Sequence, residues 1–252
     1  MNDFNLEQYI MHHVLNSQEW QLPFLPPIHL PAPLSLHGVM LCVGAFLVIV
    51  LVCGLRSRSA VPSGFGNFLE VFVIFIRDEI ATACVGEEDG KKMTPLFCTF
   101  FFFVLALNIM GLIPLFSTAT ANVNVTGALA LVTLSFMILG AIYKNGVGGF
   151  CKALIPSGVP APILLILVPI EFLGLFIKAF ALMIRLFANM LAGHIVILAL
   201  LGLVVTLGLV ALPAVLLALF ISLLEVLVAV LQAYIFTLLS DMFIGQTYHP
   251  QH

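Results

Sequence analysis

Long apolar stretches separated by short polar breaks run along the chain, and the breaks predict its elements. Residues 1–33 are polar and then proline-rich (Pro23, Pro26, Pro27, Pro31, Pro33), and proline blocks helix continuation, so no continuous helix is expected there. Residues 34–55 are apolar except for Ser35 and His37 and form a first span, with His37 at its outer, interfacial end. Residues 64–85 differ, because Glu70, Arg77, Asp78 and Glu79 interrupt them. At about 100° per residue, Asn67, Glu70, Arg77 and Asp78 share one arc, while Phe65, Leu69, Phe72, Ile76 and Ile80 fall elsewhere. Val71 and Ile74 intrude on the polar arc. That pattern predicts a helix lying along the membrane interface.

Gly86–Lys92 reads as a hydrated loop, and 95–116 as a second span with the run Phe100–Phe103 and a lone Asn108. An uncharged polar turn at 117–124 leads to a third span over 125–143, capped by Asn124 and Thr126. A loop containing Lys, Gly and Pro covers 144–160. The long apolar segment 163–206 is free of proline from Ile170 to Thr206, a run that would make a helix of about 55 Å at ~1.5 Å per residue. The hydrocarbon core is only about 30 Å thick. With no turn dipeptide to split it, the helix is expected to tilt. Residues 213–243 form a second over-long helix, near whose cytoplasmic end Asp241 is expected to meet water, and 244–252 form a cytoplasmic tail.

Composition fixes the class. The chain is 62% hydrophobic and 8% charged, with a mean hydropathy of +1.20, against about 25% charged residues in a soluble domain. The reading is a single all-α integral membrane domain with about five transmembrane helices and one interfacial helix. The nine Lys and Arg are dispersed, which argues against nucleic acid as a partner. Five cysteines (Cys42, Cys53, Cys84, Cys98, Cys151) lack CxxC or CxxH spacing and read as small hydrophobes, so neither a metal nor a cofactor is expected. The first residues lack the basic leader and cleavage site of a signal peptide. With five spans, Arg56/Arg58, Lys91/Lys92 and Lys144/Lys152 all fall on one side. The positive-inside rule then puts the N-terminus outside and the C-terminus in the cytoplasm.

Candidate chemistry lies in the last two long helices, whose strongly ionisable groups are Glu171, Lys178, Arg185, His194 and Glu225. A guanidinium stays charged at any accessible pH, and at the middle of a membrane helix it costs roughly 2.5–3.5 kcal/mol. Glu171, Lys178 and Arg185 are spaced by seven and so lie within about 40° of one another. His194, nine residues beyond Arg185, faces the other way. Folding the two helices back about a turn near residue 209 sets His194 level with Glu225, and Arg185 level with Gln232. A histidine titrates near neutrality and can exchange a proton with an adjacent carboxylate, whereas arginine repels protons and attracts a carboxylate. The residues therefore suit proton relay, with Arg185 as a gate. Each of these ionisable groups would also serve as a link between helices; Lys178 suits a side chain snorkelling to the boundary, and Asn108, Asn189 and Gln232 suit plain inter-helix hydrogen bonding.

The run Arg185-Leu-Phe-Ala-Asn-Met-Leu-Ala-Gly-His194 resembles the signature of subunit a of F-type ATP synthases. Leu231-Gln-Ala-Tyr-Ile-Phe236 resembles the final-helix motif of that family, and Asn108–Pro114 and Asn124–Thr126 its weaker middle motifs. The resemblance covers roughly Pro62 to Phe236. It implies a proton-translocating membrane subunit with no catalytic residues of its own. Its expected partners are the c-ring of subunit c, a peripheral-stalk subunit b, the rest of the synthase and the lipid bilayer. Arg185 then corresponds to the arginine facing the c-ring carboxylate, Gln232 to the glutamine packed near it, and Asn189 to a polar position near the outer half-channel. His194 and Glu225 take the two outer half-channel positions, in the reverse order to some members, and Glu171 matches a carboxylate towards the cytoplasmic exit. The implied setting is a bacterial inner membrane, with a mitochondrial inner membrane as the alternative. A secondary ion or solute transporter would be expected to show internal repeats and paired broken helices, and an intramembrane enzyme a motif such as HExxH or GxSxG; neither pattern occurs in the sequence.

Overall fold

The computed structural model describes residues 19–20, 28–29, 35–55, 65–113, 116, 118–155, 160–208 and 212–248. Most of the expected proline-rich N-terminal segment, Arg56 and Arg58, the turn near residue 209 and the end of the tail lie outside the described residues. The chain is an all-α integral membrane protein. Its elements are α1 (Leu36–Leu55), α2 (Phe65–Phe75) with a π-helical turn at Ile76–Ala81, α3 (Thr82–Val85), and α4 (Glu87–Leu112). After a 3-10 turn at Ala119–Ala121 come α5 (Val123–Ser135), a second π-turn at Phe136–Gly140, α6 (Ala141–Ala153), α7 (Ala161–Leu207) and α8 (Leu212–Tyr248). Among the described residues, five helical stretches are long and apolar enough to cross a membrane: Leu36–Gly54, Glu87–Leu112, Val123–Ala153, Pro162–Val204 and Leu212–Tyr248. A two-residue antiparallel ladder pairs Glu19 with His29 and Trp20 with Ile28.

One compact unit comprises Met1–Val50, Phe102–Thr126 and Arg185–Ala233. Its core gathers Leu36 and Met40 from α1, Leu107 and Met110 from α4, and Ala119 and Val125 from the segment that follows. His37, at the start of α1, is 3% exposed, because it shares a helical face with Met40 and is carried into that core. The cap of α5 also departs from expectation. Asn122 has extended backbone dihedrals (φ −104°, ψ 123°), and its Oδ1 accepts the Asn124 N–H at 2.9 Å. Its carbonyl accepts the N–H groups of Val125 and Thr126. The helix thus starts two residues earlier than the sequence suggests, with Asn122 as its N-cap. Thr126 turns its hydroxyl back onto the Asn122 and Val123 carbonyls at 3.3 and 3.2 Å.

The other compact unit comprises Leu51–Phe101, Gly127–Ile184 and Tyr234–His252. In it the α2–α3 segment buries Ile76, Ile80, Ala81 and Val85 and leaves Arg77 half-buried and Asp78 exposed. Arg77 clasps its neighbour through Nε–Oδ1 at 2.7 Å and Nη2–Oδ2 at 3.0 Å, which holds the Asp78 carboxyl below the usual carboxylate range. Helix α4 begins at Glu87, inside the stretch expected to be a loop. Glu87, Glu88 and Asp89 occupy its first turn, where negative charge complements the helix dipole. Lys91 and Lys92 follow at the i,i+4 positions of Glu87 and Glu88, 3.8 and 3.0 Å away. Asp89 pairs with Lys144 of α6, whose ammonium also lies 5.3 Å from the Tyr248 ring centroid. Asn145 donates to the Tyr248 carbonyl at 3.0 Å, tying down the end of α8.

Asp241 is likewise corrected. It is 0% exposed rather than solvated, because α8 stays helical through to Tyr248 and turns this position inward. Cys84 lies beside it, and burial, with the Asp241 carboxylate second, pushes the Cys84 thiol up to about 11. Nearby in sequence, Ser240 and Thr133 share a hydrogen bond at 3.2 Å, and Phe100 meets Phe236 edge-on at 5.7 Å.

Candidate functional site in the last two helices

Helix α7 is 47 residues long, a path of roughly 70 Å at ~1.5 Å per residue, and Arg185 falls close to its midpoint. The side chain is exposed on an apolar surface. Arg185 is the sole Lys or Arg in its unit, and among the described residues it makes no hydrogen bond or ion pair. Asn189, one turn further, is exposed on the same stripe. Its neighbours Leu182, Leu186 and Met190 are buried, so α7 buries one apolar edge and turns the guanidinium outward.

On α8, Glu225 and Gln232 are each 6% exposed. Both Glu225 carboxylate oxygens are buried without a hydrogen-bond partner among the described residues. The carboxylate rests against Gly193 of α7, where a Cβ would come within 2.6 Å of Oε1. Only a residue without a side chain allows that approach. Glu225 thus sits at the helical turn that carries His194, but no hydrogen bond joins the two. His194 is half-buried, and its Nδ1 lies 3.4 Å from the Thr118 hydroxyl. No hydrogen bond joins Arg185 to Gln232 either. Asn108 of α4 donates from Nδ2 to the Ala229 carbonyl of α8 at 3.3 Å, acting as a link between helices.

Glu171 and Lys178 belong to the other unit. Both are half-buried. Lys178 donates to Gln246 Oε1 at 2.8 Å and its ammonium lies 5.6 Å from the Phe243 ring centroid. Among the described residues no three His, Cys, Asp or Glu side chains are grouped as a metal site would need. Sequence reasoning missed Thr118 and Gly193. Nothing in a threonine among small polar residues marks it as a partner of a histidine far along the chain. The glycine stood beside His194 in the motif and was the one available signal.

Residues 38–245 match the family model described as ATP synthase A chain. The chain belongs to this family. Subunit a of ATP synthase from Anaeromyxobacter dehalogenans strain 2CP-C is 53% identical over 215 residues, 83% of this chain and 56% of the relative. The subunit a of Chloroherpeton thalassium is 42% identical over 260 residues, 96% of this chain and 77% of the relative. That of Myxococcus xanthus is 44% identical over 238 residues, 92% of this chain and 78% of the relative. Against the Anaeromyxobacter relatives the chain spans about half the relative's length. Family membership agrees with the resemblance carried by the Arg185–His194 and Leu231–Phe236 motifs.

Proposed function

We propose that this chain is the proton-translocating membrane subunit of an F-type ATP synthase. The observation that carries the reading is Arg185, a permanent cation exposed on an apolar surface with no partner among the described residues. Leaving it so in lipid costs several kcal/mol, so its counter-charge belongs to another subunit. A carboxylate on a rotating c-ring meets that need. Arg185 then attracts the ionised carboxylate and repels the proton, keeping two half-channels apart.

His194 and Glu225 load or unload the carboxylate from the outer side, with Asn189 and Gln232 as polar support, and Glu171 marks the cytoplasmic exit. A protonated carboxyl can pass through lipid because it no longer carries the desolvation cost of a charge. The long helices α7 and α8, tilted and antiparallel, form the wall against the ring. The other partners are a peripheral-stalk subunit b and the rest of the synthase. The setting is a bacterial inner membrane with the N-terminus outside and the C-terminus cytoplasmic, and the subunit has no catalytic chemistry of its own. The test is Arg185→Ala in the whole complex, read as ATP-driven acidification of inverted vesicles beside passive proton leak. Loss of pumping is expected; undiminished pumping overturns the gate assignment.

A further inference from the structure

We infer that Thr118 is a positioning residue for His194, fixing which ring nitrogen keeps its proton and which one exchanges it. The inference rests on the proposed role of His194 in the outer half-channel.

Gly111 is one of the last residues of α4, where the final carbonyls have no partner within the helix. The Thr118 hydroxyl donates to the Gly111 carbonyl at 3.4 Å. Thr118 is 3% exposed, so a carbonyl and hydroxyl facing each other there are in little contact with water, and the bond relieves an otherwise orphaned acceptor. A hydroxyl has one proton to give and lone pairs to spare. With that proton committed to Gly111, the same oxygen, 3.4 Å from His194 Nδ1, is left to accept. Nδ1 therefore carries the hydrogen, and Nε2 is the nitrogen that takes up a proton and passes it on. Each transfer adds or removes one proton at Nε2 and leaves the Nδ1–H on Thr118 unchanged. Such a second-nitrogen hydrogen bond is the usual means by which a protein sets an imidazole tautomer.

The approach depends on Gly111 having no side chain: a Cβ there would lie 2.8 Å from Thr118 Cγ2 and 2.8 Å from Met190 Cε. Among side chains described in this unit, the titratable groups are His37, Cys42, Arg185, His194 and Glu225. Of these, Glu225 reaches the His194 turn from α8 through Gly193, and Arg185 lies on the opposite face of α7.

An acceptor at Nδ1 favours the doubly protonated ring more than the neutral one, because a charged donor makes the stronger bond. Removing the acceptor means that a higher proton concentration is needed for the same loading. In inverted vesicles holding the whole complex, whose lumen faces the outer half-channel, Thr118→Val is expected to move the alkaline limb of ATP synthesis driven by an imposed acidic lumen, read against lumen pH, to lower pH by roughly half a unit to one unit. Thr118→Ser, which keeps the hydroxyl, is expected to restore the wild-type profile. A Thr118→Val profile superimposed on the wild type, or a Thr118→Ser profile shifted as far as that of valine, overturns the inference. Should Thr118→Val fail to assemble, Thr118→Ala carries the same comparison. Failure of the underlying reading looks different: the wild-type complex does not acidify, or Arg185→Ala pumps undiminished.

Discussion

The two compact units treat their cations in opposite ways. In the unit built from Leu51–Phe101, Gly127–Ile184 and Tyr234–His252, Arg77 clasps Asp78, Lys91 and Lys92 follow their glutamates, Lys144 pairs with Asp89, and Lys178 bonds Gln246. Only Lys152, of the described cations there, has no such partner, and it is exposed. In the other unit the sole Lys or Arg, Arg185, is exposed and makes no hydrogen bond or ion pair among the described residues, whereas a buried carboxylate without a hydrogen-bond partner among the described residues occurs in both units, Glu225 in one and Asp241 in the other. Paired charges hold a structure together. A cation left unpaired on an apolar surface at such cost is available to something outside the chain, which favours a functional reading of Arg185.

The contrast breaks most sharply at Arg185. Arg185→Ala is expected to reduce ATP-driven acidification to background while the complex still assembles, and vesicle fluorescence quenching beside an immunoblot checks both. Next in size is Gly193→Ala. Its Cβ would push the Glu225 carboxylate from its seat without touching backbone, so pumping is expected to fall several-fold with no change in assembly. If Glu225 were merely a link between helices, pumping would be indifferent to that displacement.

For the paired set, Lys144→Ala or Asp89→Asn removes a partly buried ion pair (side chains 25% and 24% exposed). A loss of roughly 1 kcal/mol of stability is expected, read as a lowered melting temperature of the solubilised complex, with the pH profile of pumping unmoved. The smallest functional effect is expected at Cys84. Its thiol, raised from 9.0 to about 11, has roughly a hundredfold less thiolate at pH 8 than one at its ordinary value. Maleimide labelling of Cys84 is therefore expected to lag far behind that of exposed Cys151 and to climb as the pH approaches 11; equal rates at pH 8 would contradict the burial.

The fold class was legible because apolar runs of membrane length survive any reasonable choice of boundary. What stayed hidden was local. The acidic triplet Glu87–Asp89 ahead of Lys91 and Lys92 looked like a loop, although acids first and bases four later are also the charge pattern of a helix start. Asp241 looked exposed because it is a lone polar residue near the end of a span; burial is decided by neighbours from elsewhere in the chain, which a linear pattern does not contain. The π-turns at Ile76–Ala81 and Phe136–Gly140 left no mark on hydropathy. Within the candidate site, the helical arithmetic that levelled His194 with Glu225 is consistent with Glu225 resting on Gly193, one residue away. It could not show that His194 turns to Thr118, since side-chain direction depends on packing and not on spacing alone.

An exposed guanidinium at the midpoint of α7 also makes the free chain and the assembled chain different objects to the cell. On the proposed function, a copy without its partner must draw water or lipid headgroups into the bilayer around Arg185, a local defect that the assembled chain escapes. The supply of that proposed carboxylate-bearing partner would then set how much of this chain sits in the membrane with its bilayer undisturbed.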